Sequence, residues 1–390
     1  MDIREISITE RIITVRNIII LFGFLFSCDK SNDVIEQELK VQLDSIKNKF
    51  ILDDRLAVFE YSFSRNSDHT VVILKTSDAN VVDYIHDHSE LFLNIKLKID
   101  QLPNGTFHPF TYGIVNNSYV NMRLAPKFSS GMAKQVLLGE LVLLMEKKAN
   151  WYRIRCQDGY IGWVPIGGMH LISEDASSKW RASEKIIYTQ PTGNAVGSDK
   201  ASIISNLVFG NVLEMISETE MYFEVGFPDG RRGFIRKDES DYYNDWLATR
   251  VPSQQNIISS ARSFIGTPYN WGGNTYHGVD CSGYTQSVYY MNGINLPRDA
   301  DMQSERGVEI DTSDRFNNLN QGDLLFFGQA ASDSTKEKIS HVSIWLGNGE
   351  FIHSQGNVKV GSFNPDDDHY DHTNLKRLVK VKRLNEVSSN

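Results

Sequence analysis

Apolar positions along the chain change their spacing several times, and each change marks a different element. The first pattern is an unbroken run, Ile18 to Phe26, preceded by Arg11 and Arg16. It is shorter than the ~20 residues a membrane-spanning helix requires and fits a signal-peptide core; a buried strand is the alternative. Val34, Leu39, Leu43 and Ile46 then recur at near-helical intervals in a polar segment, which predicts an amphipathic helix. RLAVFEYSFSR and TVVILKTS read as strands, and ANVVDYIHDHSELF returns to a helical period. Together they predict a small α+β module over residues 29–104, closing at the turn Leu102-Pro103-Asn104-Gly105. His86 and His88 lie on its second helix with no third ligand in place, so they read as surface residues.

Beyond that turn the chain repeats itself. LLGELVLLMEKKANWYRIRCQDGYIGWV begins at Leu137, and VFGNVLEMISETEMYFEVGFPDGRRGFI begins at Val208. The shift superposes Gly139 on Gly210, Trp151-Tyr152 on Tyr222-Phe223 and Asp158-Gly159 on Asp229-Gly230. Short alternating strands broken by Asp-Gly turns predict two all-β barrels, over 105–175 and 176–245. Cys156, on a strand of the first copy, reads as a packed barrel residue. DYYNDWLATRVPSQQ reads as a connector, with Pro252 before the last domain, 246–390.

In that last domain a helix is expected over 256–264 and another from Ser282 to about Met291, stopped by Asn292-Gly293. Tyr284, Val288 and Met291 fall on one apolar face. GDLLFFG and KISHVSIWLGNGEFIHSQG follow, the latter a hairpin with a Gly-Asn-Gly turn.

Composition narrows the function. With 41% hydrophobic and 11% aromatic residues over 390 positions, the chain is globular. A net charge of -9 without a basic stripe gives no reason to expect nucleic-acid binding. The three cysteines, Cys28, Cys156 and Cys281, form neither a disulfide framework nor a zinc-ligand pattern, so no metal or cofactor is called for.

Cys281 sits in GVDCSGYTQSVYYMNG, with Asp280 near the helix N-cap and the thiol in the first turn. Free backbone N–H groups and the helix dipole favour a thiolate there and are expected to lower its pKa. A single cysteine at a helix start, taken alone, reads as an inert buried residue; the hairpin changes the balance. A two-residue loop at Asn348-Gly349 would pair His353 with Ile344, away from the His341 face. A three-residue loop, Gly347 to Gly349, pairs it with Ser343, and the two imidazoles become diagonal neighbours. One can then serve as base while the other fixes its tautomer.

Residues from about 255 to 383 resemble the NlpC/P60 family of cell-wall cysteine peptidases, with a papain-like α+β core. The matching residues are Pro268-Tyr269, Trp271-Gly272-Gly273, Asp280-Cys281-Ser282-Gly283, Leu296-Pro297-Arg298, Gly322-Asp323-Leu324, Ser340-His341-Val342 and His353. The resemblance implies Cys281 as nucleophile, His341 as general base, His353 as orienting member and Tyr269 as an oxyanion partner. The repeats, VNMRLAP with WYRIRCQDGYIGWV above all, resemble bacterial SH3-like domains. Leu25-Phe26-Ser27-Cys28 resembles a lipobox, which implies a signal over 1–28, a lipid on Cys28 and a membrane-anchored envelope protein.

The full order resembles γ-D-glutamyl-L-diamino acid endopeptidases, which act on peptidoglycan peptides with a free N-terminal L-alanine. That likeness implies Asp280 as partner of the alanine ammonium, Ser282 and Trp271 lining the pocket, and Tyr160 as the SH3 aromatic facing the site. The stretch Gly131-Met132-Ala133-Lys134 lacks the acidic residue such relatives carry before Gln-x-Leu-x-Gly. A wall-binding module and an acyl- or amidotransferase using the same thiol are the other function classes. Asp299 and Asp301 in PRDADMQ are a candidate carboxylate pair for acid/base work but read as solvated loop residues, and the acidic run at 364–372 reads as a surface loop without calcium-site spacing.

Overall fold

The computed structural model describes residues 32–65, 70–93 and 95–385; Cys28 and the apolar run before it lie outside them. Two compact units form, residues up to 54 together with 59–101, and residues 55–58 together with 102 onward.

In the first unit, the helix Asn32–Phe50 carries Leu39, Leu43 and Ile46 on its buried side. Strands Phe59–Arg65 and Thr70–Thr76 pair antiparallel, and the helix Ala79–Asp87 follows, capped by Asp78. A third strand, Lys96–Gln101, absent from the elements expected above although Leu97 and Ile99 alternate with Lys96, Lys98 and Asp100, pairs parallel to the second. The ring of His88 stacks on Tyr84, and among the described residues no His/Cys/Asp/Glu group could hold a metal.

The second unit holds the repeat. Each copy is a seven-stranded antiparallel sheet, and the two sheets have the same strand order. Strands starting at 141, 151, 161 and 169 recur at 212, 222, 232 and 240. The buried positions recur with them: Val142, Tyr152, Ile154 and Val164 correspond to Leu213, Phe223, Val225 and Ile235. Gly139, Gly159, Gly210 and Gly230 all have φ near +85°, which a side chain would resist. The two sheets dock through the Val212 N–H on the Leu138 carbonyl and Asn211 on the Ser118 carbonyl.

The segment expected as a connector is structured. It forms a strand, Ser240–Tyr242, and a helix, Tyr243–Ala248, because Trp246 is buried against Phe209 and Tyr290.

The remaining chain packs helices on a six-stranded antiparallel sheet. Helix Cys281–Tyr290 lays Tyr284 and Val288 on Val342, Ile344 and Ile352. The opposite face holds Phe327, Trp345, Phe351 and Phe363. Among the described residues no helix is long and apolar enough to cross a membrane.

Candidate active site

Asp280 is extended (φ -87°, ψ -178°) and caps the Cys281 helix by accepting the Gly283 N–H at 2.7 Å. That fixes Cys281 at the first helical position. The thiol is buried, and the expected pKa depression does not follow. Burial first, then the Asp280 charge, push it up to about 11, against smaller opposing effects of the Val342 backbone N–H, Arg298 and the Ser282 backbone. The helix terminus favours the thiolate, as its position in the sequence implies, but desolvation is the larger effect.

The hairpin brings the two histidines together: His341 Nε2 lies 2.9 Å from His353 Nδ1. The register pairs Ile344 with Ile352, as the His341–His353 geometry requires, but by another route than a three-residue loop. The turn is two-residue, Asn348-Gly349, with φ of +53° and +87°, and a bulge between Trp345 and Gly347 restores the parity. Burial, then His353 and Arg377, lower His341 to about 3, and burial, then Lys359, lower His353 to about 4 against the pull of Asp371.

At neutral pH the site therefore rests as thiol and neutral imidazoles. With Nε2 facing His353, His341 has Nδ1 left to accept a proton. In a thiol hydrolase the proton would move to it as sulfur attacks the carbonyl, and then pass to the leaving amine. Tyr269, half-buried, has its hydroxyl pushed up to about 12 by burial and by Cys281 and Asp280. It stays protonated and able to donate to an oxyanion.

Asp280 does more than cap. Its Oδ1 accepts Gly283 N and Arg298 Nη1 (3.0 Å), and its Oδ2 accepts Gly272 N (2.7 Å) and Arg298 Nη2 (2.6 Å). With Ser282 Oγ at 3.5 Å, five donors surround the carboxylate, whose lone pairs are taken up in supporting the Cys281 turn. Ser282 is buried and its Oγ accepts Arg298 Nη1 at 2.9 Å, which likewise gives it a supporting place. Trp271 is 68% exposed.

Tyr160 reaches the catalytic domain from the first β-domain, its hydroxyl donating to Asp299 Oδ2 at 3.0 Å. Asp299 and Asp301 are not simply solvated. Arg55 Nη1 bonds both at 2.8 Å, and its Nη2 takes the second oxygen of Asp301 at 2.8 Å. Gln135 seals the same junction, accepting Asn274 N and Thr275 Oγ1, both at 3.1 Å. Lys134 is turned inward onto Asp158 at 2.7 Å, in a buried cluster with Glu140 and Cys156. Arg55 and Gln135 had no sequence signal, and Asp299 was legible only as half of a solvated carboxylate pair, since each acts across more than a hundred residues. Arg298 stood in a motif that gave it no role.

Two protein families match parts of the chain. The model of the NlpC/P60 family matches residues 266–381, and that of the bacterial dipeptidyl-peptidase Sh3 domain matches 122–168. A γ-D-glutamyl-L-lysine dipeptidyl-peptidase of Bacillus subtilis is 30% identical over 228 residues, 56% of this chain and 71% of that one. A Bacillus cereus protein of the same name is 31% identical over 56% of this chain and 66% of its own. The crystal structure of an NlpC/P60 family protein from Bacillus cereus shares the fold, with a TM-score of 0.60 at 23% identity, over 70% of this chain and 99% of that one. The chain belongs to the NlpC/P60 family and is a cysteine peptidase of the cell-wall type.

Proposed function

We propose that the protein hydrolyses the bond between γ-D-glutamate and the diamino acid in short peptidoglycan peptides that keep a free N-terminal L-alanine. Cys281 is the nucleophile, His341 the base, His353 the orienting group, and Tyr269 the oxyanion donor. The observation that carries this reading is the Tyr160–Asp299 contact. It joins Tyr160 of the first β-domain to the residue next to Arg298, which supports the nucleophile's turn through Asp280. A β-domain held there favours a short acyl segment. The two relatives named for γ-D-glutamyl-L-lysine cleavage support the bond assignment.

Recognition of the free ammonium falls to Asp299 in place of Asp280. Asp299 is part-exposed, and its Tyr160 and Arg55 bonds both fall on Oδ2. Asp280, Asp299 and Asp301 set three carboxylates against two guanidiniums, Arg298 and Arg55, leaving a net negative charge for the amine. Preference for peptides already released from glycan makes this a turnover or recycling enzyme, anchored in the envelope by a lipid on Cys28. Acetylating the alanine amine tests the reading. Cleavage should slow by about tenfold or more, and Asp299→Asn should remove most of that difference. Equal rates on blocked and free peptides would reject it.

A further inference from the structure

Among the described residues, two fully buried polar atoms at the histidine pair have no protein partner: His353 Nε2 and Ser343 Oγ. They belong to facing residues. Ile344 pairs with Ile352, so one step along each strand sets Ser343 opposite His353. Both side chains lie on the sheet face of Phe327 and Phe351, which contact the His341 and His353 rings. Native interiors rarely leave such groups unsatisfied, and a water held between them is the usual resolution.

The histidine pair needs that resolution. For His341 to act as base its Nδ1 must be free of a proton, so its Nε2–H donates to His353 Nδ1. The proton of His353 then sits on Nε2, the orphaned atom. Nε2 is unsatisfied in either tautomer when it has no partner; an acceptor there stabilises its N–H, and with it this tautomer over the opposite one, in which His353 Nδ1–H donates and His341 Nδ1 carries a proton it cannot use. Neither neighbouring polar group bonds His353 Nε2 directly: Asp371, whose charge pulls on His353, accepts Asn374 N and Asn374 Nδ2, one on each oxygen, and Ser354 Oγ donates to the Val279 carbonyl.

We propose that Ser343 is a positioning residue of the peptidase reaction: through one buried water its hydroxyl receives the His353 Nε2–H and so selects the tautomer in which His341 is a competent base. The inference rests on the assignment of Cys281, His341 and His353 given above.

The test compares Ser343→Ala and Ser343→Thr in the full chain. Histidine ¹⁵N NMR reports the tautomers without substrate, and peptide cleavage reports kcat and KM. Ser343→Ala should move the His353 proton from Nε2 to Nδ1 and lower kcat about tenfold, with KM within about twofold. Ser343→Thr, which restores a hydroxyl, should keep the wild-type tautomer and most of kcat. An unchanged tautomer in Ser343→Ala, or equal losses in both variants, would overturn the proposal. Full activity in Cys281→Ala would instead overturn the assignment beneath it.

Discussion

Replacing Arg298 by methionine isolates the support under the nucleophile. Its guanidinium is 1% exposed and donates three charged hydrogen bonds, to Asp280 at 3.0 and 2.6 Å and to Ser282 at 2.9 Å. The methionine side chain fills most of the volume but leaves the Asp280 carboxylate buried with only two backbone donors, Gly272 and Gly283. Breaking one side of a buried pair costs about 3–5 kcal/mol, most of it for the uncompensated charge. Urea unfolding at pH 7 should show that loss. Adding Asp280→Asn to the Arg298→Met protein should recover part of it, because Asn caps helices well and carries no charge. Activity should stay low in both variants, since the Cys281 turn depends on this scaffold. A loss below about 1 kcal/mol, or further destabilisation by Asp280→Asn, would refute the reasoning.

The pH dependence of stability gives a second prediction. Both histidines are lowered below the ordinary 6.5 in the folded protein, so their contribution is complete above that value and falls as the pH drops toward 4. Each should lose about 1.4 kcal/mol per pH unit in that window, and His353→Gln should flatten the urea midpoint profile between pH 7 and 5; an unaltered slope would contradict it. Alkylation of Cys281 by iodoacetamide should keep rising with pH between 7 and 10, as a thiol pushed up to about 11 requires, and should precede that of Cys156, which is buried in a β-domain core with its thiol likewise held well above the ordinary range by burial. A rate plateau below pH 7 would instead reveal a resting ion pair. Cys28→Ser should abolish membrane partitioning of the cellular protein, and retained partitioning would point to another anchor.

What could be read from sequence and what could not divide along physical lines. Local and periodic information was legible: the repeat that carries Leu141 onto Val212, the Asp280 cap, the nucleophile helix and the parity of His341 with His353. The hairpin result came by compensation. A bulge at Leu346 is invisible to alternation, while the need to bury Trp345 and Phe351 still fixed the faces. Long-range polar partners were not legible. Nothing local joins Arg55 to Asp299, and a motif match could not tell that Asp280 is filled by Arg298. The thiol's raised pKa was missed for a related reason, since its burial is set by strands far along the chain, Val342 among them.

The most direct test of the central claim is mass spectrometry of the products from L-Ala-γ-D-Glu-diaminopimelate and its lysine counterpart, with wild-type protein and Cys281→Ala in parallel. The account predicts L-Ala-D-Glu and the free diamino acid from wild type, and intact peptide with Cys281→Ala. Cleavage at another bond, or the same products from the Cys281→Ala protein, would contradict it.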